Sequence, residues 1–155
     1  IVTPDFSDIN KELIEYFAKH PEHLVDLHWR KFEELLDLVF RNHGYRTILG
    51  TGRADHGIDL RLIQSDGCGE LVTLVQAKKY TSIPIRLEAV QAFCAVVEDE
   101  KVNRGLFVTT SRFLPSAQAF AERQRHRLVL ADSADVAKWC QKAIHRLADG
   151  ARLIT

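Results

Sequence analysis

Residues Leu71–Tyr80 read LVTLVQAKKY, and this stretch indicates the fold more clearly than any other part of the sequence. The first half is apolar and rich in β-branched residues, which is typical of a strand buried in a sheet. Because side chains alternate across a strand, Gln76 and Lys78 lie on the same face as Leu74. A lysine that continues an apolar face is costly unless it meets an acid or lines a cavity. The stretch therefore predicts a buried strand that ends in a functional site.

The segment before it provides a candidate partner strand. Residues 57–64 alternate apolar and polar side chains, and the turn residues at 65–69 predict a hairpin with the next strand. Counting from the turn, Asp59 reaches the same end of the hairpin as Gln76 and Lys78, within a residue or two. An acid, an amide and an ammonium at one sheet edge indicate a chemical site. The alternative is a plain ion pair between Asp59 and Lys78 at a solvated strand end.

A third acid comes from a predicted amphipathic helix over residues 26–43, which ends before Gly44. Its apolar stripe is centred near Phe32 and Leu36. At 100° per residue, Glu33 lies on the border of this stripe and is the acid best placed to lean over the sheet. The alternative is that Glu33 is a surface carboxylate flanking the stripe.

The other segments define the fold class. The patterns predict an extended stretch at 45–52, strands at 105–110 and 127–131, and helices at 5–19, 84–99, 115–125 and 132–148. Two antiparallel strands followed by strand–helix–strand crossovers imply an α/β fold whose mixed sheet has helices on both faces. We expect residues 1–25 to be an N-terminal helical extension or the end of a linker, and residues 26–150 to be the α/β domain.

Composition narrows the class of protein further. A chain of 155 residues with 27% charged residues suits one globular domain, and it has no apolar run of the ~20 residues that a membrane helix needs. The three cysteines are scattered without a CxxC pair, which favours a reducing compartment, the cytoplasm, over a disulfide framework or a zinc site. The absence of methionine leads us to expect a fragment of a longer protein.

Charge is balanced overall but not along the chain. Residues 1–40 contain nine acids and four bases, whereas residues 76–127 contain nine bases and five acids. The second segment could present a local basic face to nucleic acid, although solvated helix surfaces would give the same composition. There is no GxxxxGK[ST] phosphate loop and no nucleophile motif, which disfavours a small-molecule α/β enzyme.

The predicted cluster suits a hard divalent cation. Oxygen ligands from Asp59, Gln76 and Glu33 match Mg²⁺, which keeps several waters and binds substrate phosphates. Such a metal acidifies a bound water and neutralises charge that develops on a phosphodiester. Lys78 beside it would orient that water or stabilise the developing charge.

Four motifs in order then resemble a known family: Phe32-Glu33 on a helix ending at Gly44-Tyr45, TGRADHGID at Thr51–Asp59, VQAKKY at Val75–Tyr80 and GLFVTTS at Gly105–Ser111. The set resembles the catalytic domain of the Mrr-type restriction endonucleases, within the PD-(D/E)xK nuclease superfamily, over about residues 27–140. This resemblance implies a restriction-endonuclease-like three-layer α/β/α core with a mixed central sheet.

The resemblance also implies an activity and roles for residues. The expected function is a metal-dependent DNA endonuclease, with Mg²⁺ or Mn²⁺, that serves as the cleavage module of a larger restriction or defence protein. The family pattern assigns metal binding to Asp59 and Gln76, catalysis to Lys78, and a supporting role in metal binding to Glu33. Gln at position 76 is a common variant in this branch of the superfamily.

Double-stranded DNA is the expected partner, together with other domains of the parent chain and no membrane. Candidate phosphate contacts are Lys79, Arg86, Ser111 and Arg112. Cleavage of both strands would favour a homodimer. The alternative function is a catalytically inactive Mrr-like module used for DNA binding or assembly, and nicking of plasmid DNA would separate the two.

Overall fold

The computed structural model describes residues 8–50 and 57–154 of the chain, with side chains described over 10–50 and 57–147. The elements in chain order are α1 (Asp8–Lys19), a 3₁₀ turn (Pro21–Asp26), α2 (Trp29–Asn42), β1 (Arg46–Leu49), β2 (Leu60–Asp66), β3 (Gly69–Lys78), α3 (Leu87–Asp99), β4 (Arg104–Thr109), α4 (Pro115–Arg123), β5 (Leu128–Ala131) and α5 (Ser133–Ile154). Within these ranges, none of the helices is both long and apolar enough to traverse a bilayer.

The strands form one mixed sheet in the order β1-β2-β3-β4-β5. The pairs β1–β2 and β2–β3 are antiparallel, whereas β3–β4 and β4–β5 are parallel. The predicted hairpin is present, with Asp66 opposite Gly69 across a two-residue turn and Leu60 opposite Val75 at the other end. The mixed sheet expected from the sequence is confirmed.

Two separate cores show that helices cover both faces of this sheet. One face packs against α1, α2 and α5 through residues such as Phe32, Leu60 and Val75. The opposite face packs against α3 and α4 through Leu74 and Phe107, among others. Successive residues of β3 therefore enter opposite cores, as a strand buried on both faces requires. The three-layer α/β/α fold expected from the sequence is confirmed.

The contact between α3 and the sheet is close because β4 contains a glycine. A Cβ atom added at Gly105 would lie 2.5 Å from Cγ2 of Val97 and 2.6 Å from the ring of Phe93. Both residues are buried on α3. Glycine at position 105 thus lets the helix approach the sheet backbone directly.

Several element boundaries differ from the prediction. The strand predicted at 57–64 is observed at 60–66, the strand predicted at 71–80 at 69–78, and the last helix extends to Ile154 and not to 148. The helix predicted from residue 26 begins at Trp29, because residues 21–26 form a separate 3₁₀ turn. The helix predicted from residue 84 begins at Leu87, because Ile85 instead bonds the neighbouring segment through both its N–H and its carbonyl. The stretch at 45–52 contains a strand, β1, that pairs with β2 at the sheet edge.

The N-terminal helix and the cysteines complete the fold. Helix α1 packs on α5, and Ile14, Phe17 and Ala18 enter the core that it shares with α2. The boundary of the predicted extension at residue 25 stays a prediction. All three cysteines are unpaired, with Cys68 exposed in the hairpin turn and the other two buried.

Candidate active site

Asp59 lies directly before β2 and is held against β3 by two hydrogen bonds. Its N–H donates to the carbonyl of Val75 at 2.8 Å, and its Oδ2 accepts from the N–H of Ala77 at 2.7 Å. Val75 is also the residue that faces Leu60, so the chain departs from the regular ladder here, as at a β-bulge. Since Ala77 separates Gln76 from Lys78, this bond fixes the Asp59 carboxyl beside the backbone of the segment 76–78.

The Gln76 amide lies over the backbone of Gly57, two residues before Asp59. Gly57 has a φ of +78°, a conformation that favours glycine. A Cβ atom at this position would lie only 2.6 Å from Nε2 of Gln76. The glycine therefore leaves the space that the Gln76 side chain fills, and the two strand ends meet at this point. Residues 51–56, the earlier part of the TGRADHGID motif, lie outside the described residues.

Glu33 on α2 is buried, with 5% of its surface exposed, and contacts two charged groups. Its Oε1 accepts from Nη1 of Arg30 at 3.1 Å, and its carboxyl is within hydrogen-bonding contact of the Asp59 carboxyl. Burial, and then the negative charge and hydrogen bond of Asp59, raise the pKa of Glu33 to about 7 against the opposing effect of Arg30. The structure thus brings together the two predicted carboxyl groups.

The Glu33 and Asp59 carboxyl groups form a negatively charged pair that a divalent cation would stabilise. Two neighbouring carboxyl groups resist being ionised together, and a divalent cation between them would relieve that repulsion. No group of three or more His, Cys, Asp or Glu side chains that could hold a metal occurs in the described part of the chain. Mg²⁺ binds through one or two carboxylates together with water and substrate phosphates, so the pair Glu33 and Asp59 suits it. The Gln76 amide stays a predicted ligand.

Lys78 is half-buried at the carboxyl end of β3, where β4 fixes its backbone. Its carbonyl accepts from Oγ1 of Thr109 at 2.9 Å and from the N–H of Thr110 at 3.3 Å. Its side chain lines a cavity of about 310 Å³ together with residues that include Tyr80 and Arg86. By the alternation of β3, Lys78 and Gln76 are on the α3 face, and Glu33 approaches from the α2 face.

The predicted DNA contacts occupy two regions. Arg86 and Arg112 are both exposed, and a 2.8 Å bond from the N–H of Ile85 to the carbonyl of Arg112 places their segments side by side. Ser111 is adjacent, and its Oγ is buried without a hydrogen-bond partner. Lys79 differs from these, because its Nζ donates to the carbonyl of Val25 at 2.8 Å on the other face of the sheet.

Two residues of the site were not predicted. Arg30 donates to Glu33 and also, at 2.8 Å, to the carbonyl of Gly50, so it links α2 to the chain that follows β1. Its position three residues before Glu33 on a predicted helix could have indicated this contact, because residues i and i+3 are neighbours on a helix surface. Thr109 is fully buried and supports Lys78. A hydroxyl at the end of an otherwise apolar strand was the corresponding signal.

The sequence matches a protein-family model described as "Restriction endonuclease", the Mrr catalytic domain, over residues 24–140. This match covers most of the chain and includes every residue of the site described above. The chain belongs to the Mrr-type restriction endonuclease family. The expected resemblance is therefore confirmed.

Two curated proteins and a solved structure are similar to this chain. The chain is 28% identical over 137 residues to the uncharacterized protein y4cE of Sinorhizobium fredii, covering 86% of this chain and 35% of that protein. It is 34% identical over 108 residues to the type IV methyl-directed restriction enzyme EcoKMrr of Escherichia coli, covering 65% and 34%. The DNA modification-dependent restriction endonuclease AspBHI has a similar fold, with a TM-score of 0.57 at 17% identity, over 100% of this chain and 41% of AspBHI.

Proposed function

We propose that this domain hydrolyses DNA phosphodiester bonds with Mg²⁺ or Mn²⁺, through Asp59, Gln76, Lys78 and Glu33. The observation that carries the proposal is the 2.7 Å bond from the Ala77 N–H to Asp59, because it fixes a carboxyl group beside the backbone between Gln76 and Lys78. Membership of a restriction endonuclease family supports an endonuclease activity for a site of this composition.

Each side chain has a separate task in the proposed reaction. Asp59, Glu33 and the Gln76 oxygen would hold the divalent cation, which when bound supplies an acidified water and neutralises the scissile phosphate. Arg30 orients Glu33 through its bond to Oε1. Lys78 would orient the attacking water or stabilise the charge that develops on the phosphate. Thr109, through the Lys78 carbonyl, keeps that lysine at the strand end.

The proposed DNA path runs along the edge where β3 and β4 end. Arg86 and Arg112 are exposed there and are candidate contacts to phosphate oxygens. The Ser111 hydroxyl is buried, so Ser111 stays a predicted contact that would need a local rearrangement to reach DNA. Lys79 stays a predicted contact, although its bond to Val25 engages one of its three donors. A homodimer would direct one such site at each strand of the duplex.

The chain spans about a third of the length of the curated relatives that it matches. We therefore propose that it is the cleavage module of a longer restriction protein whose other domains choose the target. The methyl-directed and modification-dependent enzymes among its relatives favour modified DNA as that target. The three unpaired cysteines support a reducing compartment such as the cytoplasm.

A plasmid-nicking assay tests the proposed activity. Supercoiled DNA is incubated with Mg²⁺ or Mn²⁺ and with the wild type, Asp59→Ala, Lys78→Ala or Glu33→Gln. Each substitution should lower the nicking rate by a factor of about 100 or more, because each removes a ligand or a charge-stabilising group. Glu34→Gln is the matched control, since Glu34 is the exposed neighbour of Glu33 on α2, and it should nick like the wild type.

The same assay separates this proposal from the inactive-module alternative. Binding of DNA by the wild type without nicking in either metal would indicate a module that has kept the fold but not the chemistry. Nicking that survives both Asp59→Ala and Lys78→Ala would show that the assigned residues are wrong. An unfolding midpoint close to that of the wild type confirms that each variant is folded.

A further inference from the structure

A cavity of about 420 Å³ lies at the opposite end of the sheet from the candidate active site. Its floor includes Thr73 of β3 and Arg104 of β4, which face each other across the parallel pair. Thr73 precedes Gln76 by three residues, which is roughly 10 Å along a strand. The cavity is on the face covered by α2 and α5, and its volume is within the range of small-molecule sites.

The charged groups at this cavity are all positive. Arg104, Lys142 and Arg146 line it, and no Asp or Glu does so among the residues whose side chains are described. None of the three forms an ion pair within the same described set. Arg104 donates to Oγ1 of Thr73 at 3.1 Å, and Arg146 reaches the carbonyl of Asn42 at 3.5 Å. Neither bond neutralises a charge, so three cations line the cavity without an ion-pair partner among the described residues.

The His43 side chain on the cavity wall is close enough to interact with two of these charges. Burial, followed by the positive charges of Arg146 and Lys142, lowers the pKa of His43 from its ordinary value. Lys142 and Arg146 therefore act on the same small region from one turn of α5. An anion in the cavity would compensate both of these charges together with that of Arg104.

The remaining wall is aromatic. The rings of Phe40 and Trp139 are 5.1 Å apart between centroids, and Tyr45 packs edge-on against Phe40 at 5.8 Å. All three rings line the cavity. Indole and phenol faces stack on flat heterocycles, and arginine forks match phosphate oxygens. The cationic wall and the aromatic wall together suit a ligand that has a flat ring at one end and a phosphate at the other.

We propose that this cavity is a second ligand site, separate from the nuclease centre, which binds a nucleotide with its base against Trp139 and its phosphate at Arg104, Lys142 and Arg146. The same chemistry is offered by a free nucleotide and by the 5′-phosphate end of a DNA strand. The choice of a nucleotide over other aromatic anions rests on the proposed function, whereas the binding of an aromatic anion does not.

Tryptophan fluorescence gives a direct readout of binding at this site. The protein has two tryptophans, and Trp29 is exposed on α2 outside the cavity, so a Trp29→Phe protein reports on Trp139 alone. The titrations use dAMP, adenosine, inorganic phosphate, and a short duplex with and without 5′-phosphates, all in EDTA. They are repeated in Lys78→Ala, so that a failure of nuclease activity leaves the binding result intact.

The proposal expects saturable quenching by dAMP, with adenosine and inorganic phosphate each about tenfold or more weaker. Lys142→Gln/Arg146→Gln should weaken dAMP by about tenfold or more, because each cation supplies a charge-assisted bond. Lys138→Gln is the matched control, an exposed lysine one turn earlier on α5 that does not line the cavity, and it should bind like the parent. Equal unfolding midpoints confirm that the double variant is folded.

The duplexes identify the source of the ligand. Quenching by the 5′-phosphorylated duplex that exceeds quenching by dAMP, and that is lost in the double variant, supports a site for a DNA end. Absence of saturation with both dAMP and the phosphorylated duplex overturns the proposal. Equal binding of both duplexes, weakened equally by the double variant, also overturns it, because the cations would then be a general contact to the DNA backbone.

Discussion

Replacing Glu33 by glutamine should stabilise the protein in the absence of metal while abolishing its proposed activity. A pKa of about 7, compared with 4.5 for an unperturbed glutamate, means that ionising Glu33 in the folded state costs about 3 kcal/mol. Arg30, at 3.1 Å, already offsets part of the cost of burial, so this value is the net penalty. Glutamine has nearly the same shape and carries no charge, which removes the penalty.

The sign of the pH dependence follows from linkage. Between pH 4.5 and about 7 the folded protein holds a proton on Glu33 that the unfolded chain has released. The free energy of unfolding of the wild type therefore falls as the pH rises through this window, and it recovers as the pH is lowered. Glu33→Gln lacks this contribution. Its advantage over the wild type should be larger at about pH 8 than at about pH 5, by about 2 kcal/mol.

Urea denaturation in EDTA at these two pH values measures the difference. Glu34→Gln is the control, because Glu34 is exposed and pairs with Lys31 at 3.3 Å, so its effect should be small at both pH values. An advantage of Glu33→Gln that is the same at both pH values would refute the reasoning. Mg²⁺ should then raise the unfolding midpoint of the wild type more than that of Glu33→Gln, since binding stabilises the folded state.

Three further predictions concern residues around the site. Gly57→Ala should destabilise the protein by about 1–2 kcal/mol through its φ of +78° and abolish nicking by displacing Gln76, and a wild-type nicking rate would contradict this. Thr109→Val should cost about 1–3 kcal/mol in urea denaturation and slow nicking, because it removes the hydroxyl that holds the Lys78 carbonyl; a loss of stability with full activity would show a purely structural role. Arg86→Ala/Arg112→Ala should weaken DNA binding and lower the slope of log affinity against log salt by about 1 to 2, and an unchanged slope would remove both from the DNA path.

The sheet and its hairpin could be predicted because their information is local. The alternation in Leu71–Tyr80 and the turn residues at 65–69 predict both strands, and the register only to within a residue or two. The observed pairing of Leu60 with Val75 is set by a turn of two residues, 67 and 68, which is shorter than predicted. Helix boundaries were less predictable. Whether residues 84–86 are helical depends on the bonds of Ile85 to a segment almost thirty residues later, and no local pattern encodes those bonds.

The site shows the same division between local and long-range information. The position of Glu33 on the border of an apolar stripe predicted that it faces inward, and the structure brings it to Asp59. The bond from the Ala77 N–H to Asp59 depends on a departure from the regular ladder that the alternation pattern does not reveal. The cationic cavity was not predicted, because its walls come from residues as distant in sequence as Phe40 and Arg146.

The exposed Cys68 in the β2–β3 turn gives the protein a natural attachment point for a probe. Burial raises the pKa of the Cys140 thiol to about 12 and also raises the pKa of the Cys94 thiol, so maleimide should react with Cys68 alone at neutral pH. The turn is at the opposite end of the hairpin from Asp59 and Gln76. A fluorophore there would leave the strand ends untouched, and energy transfer between labelled copies would test whether two copies meet on one duplex and, if they do, how far apart they lie.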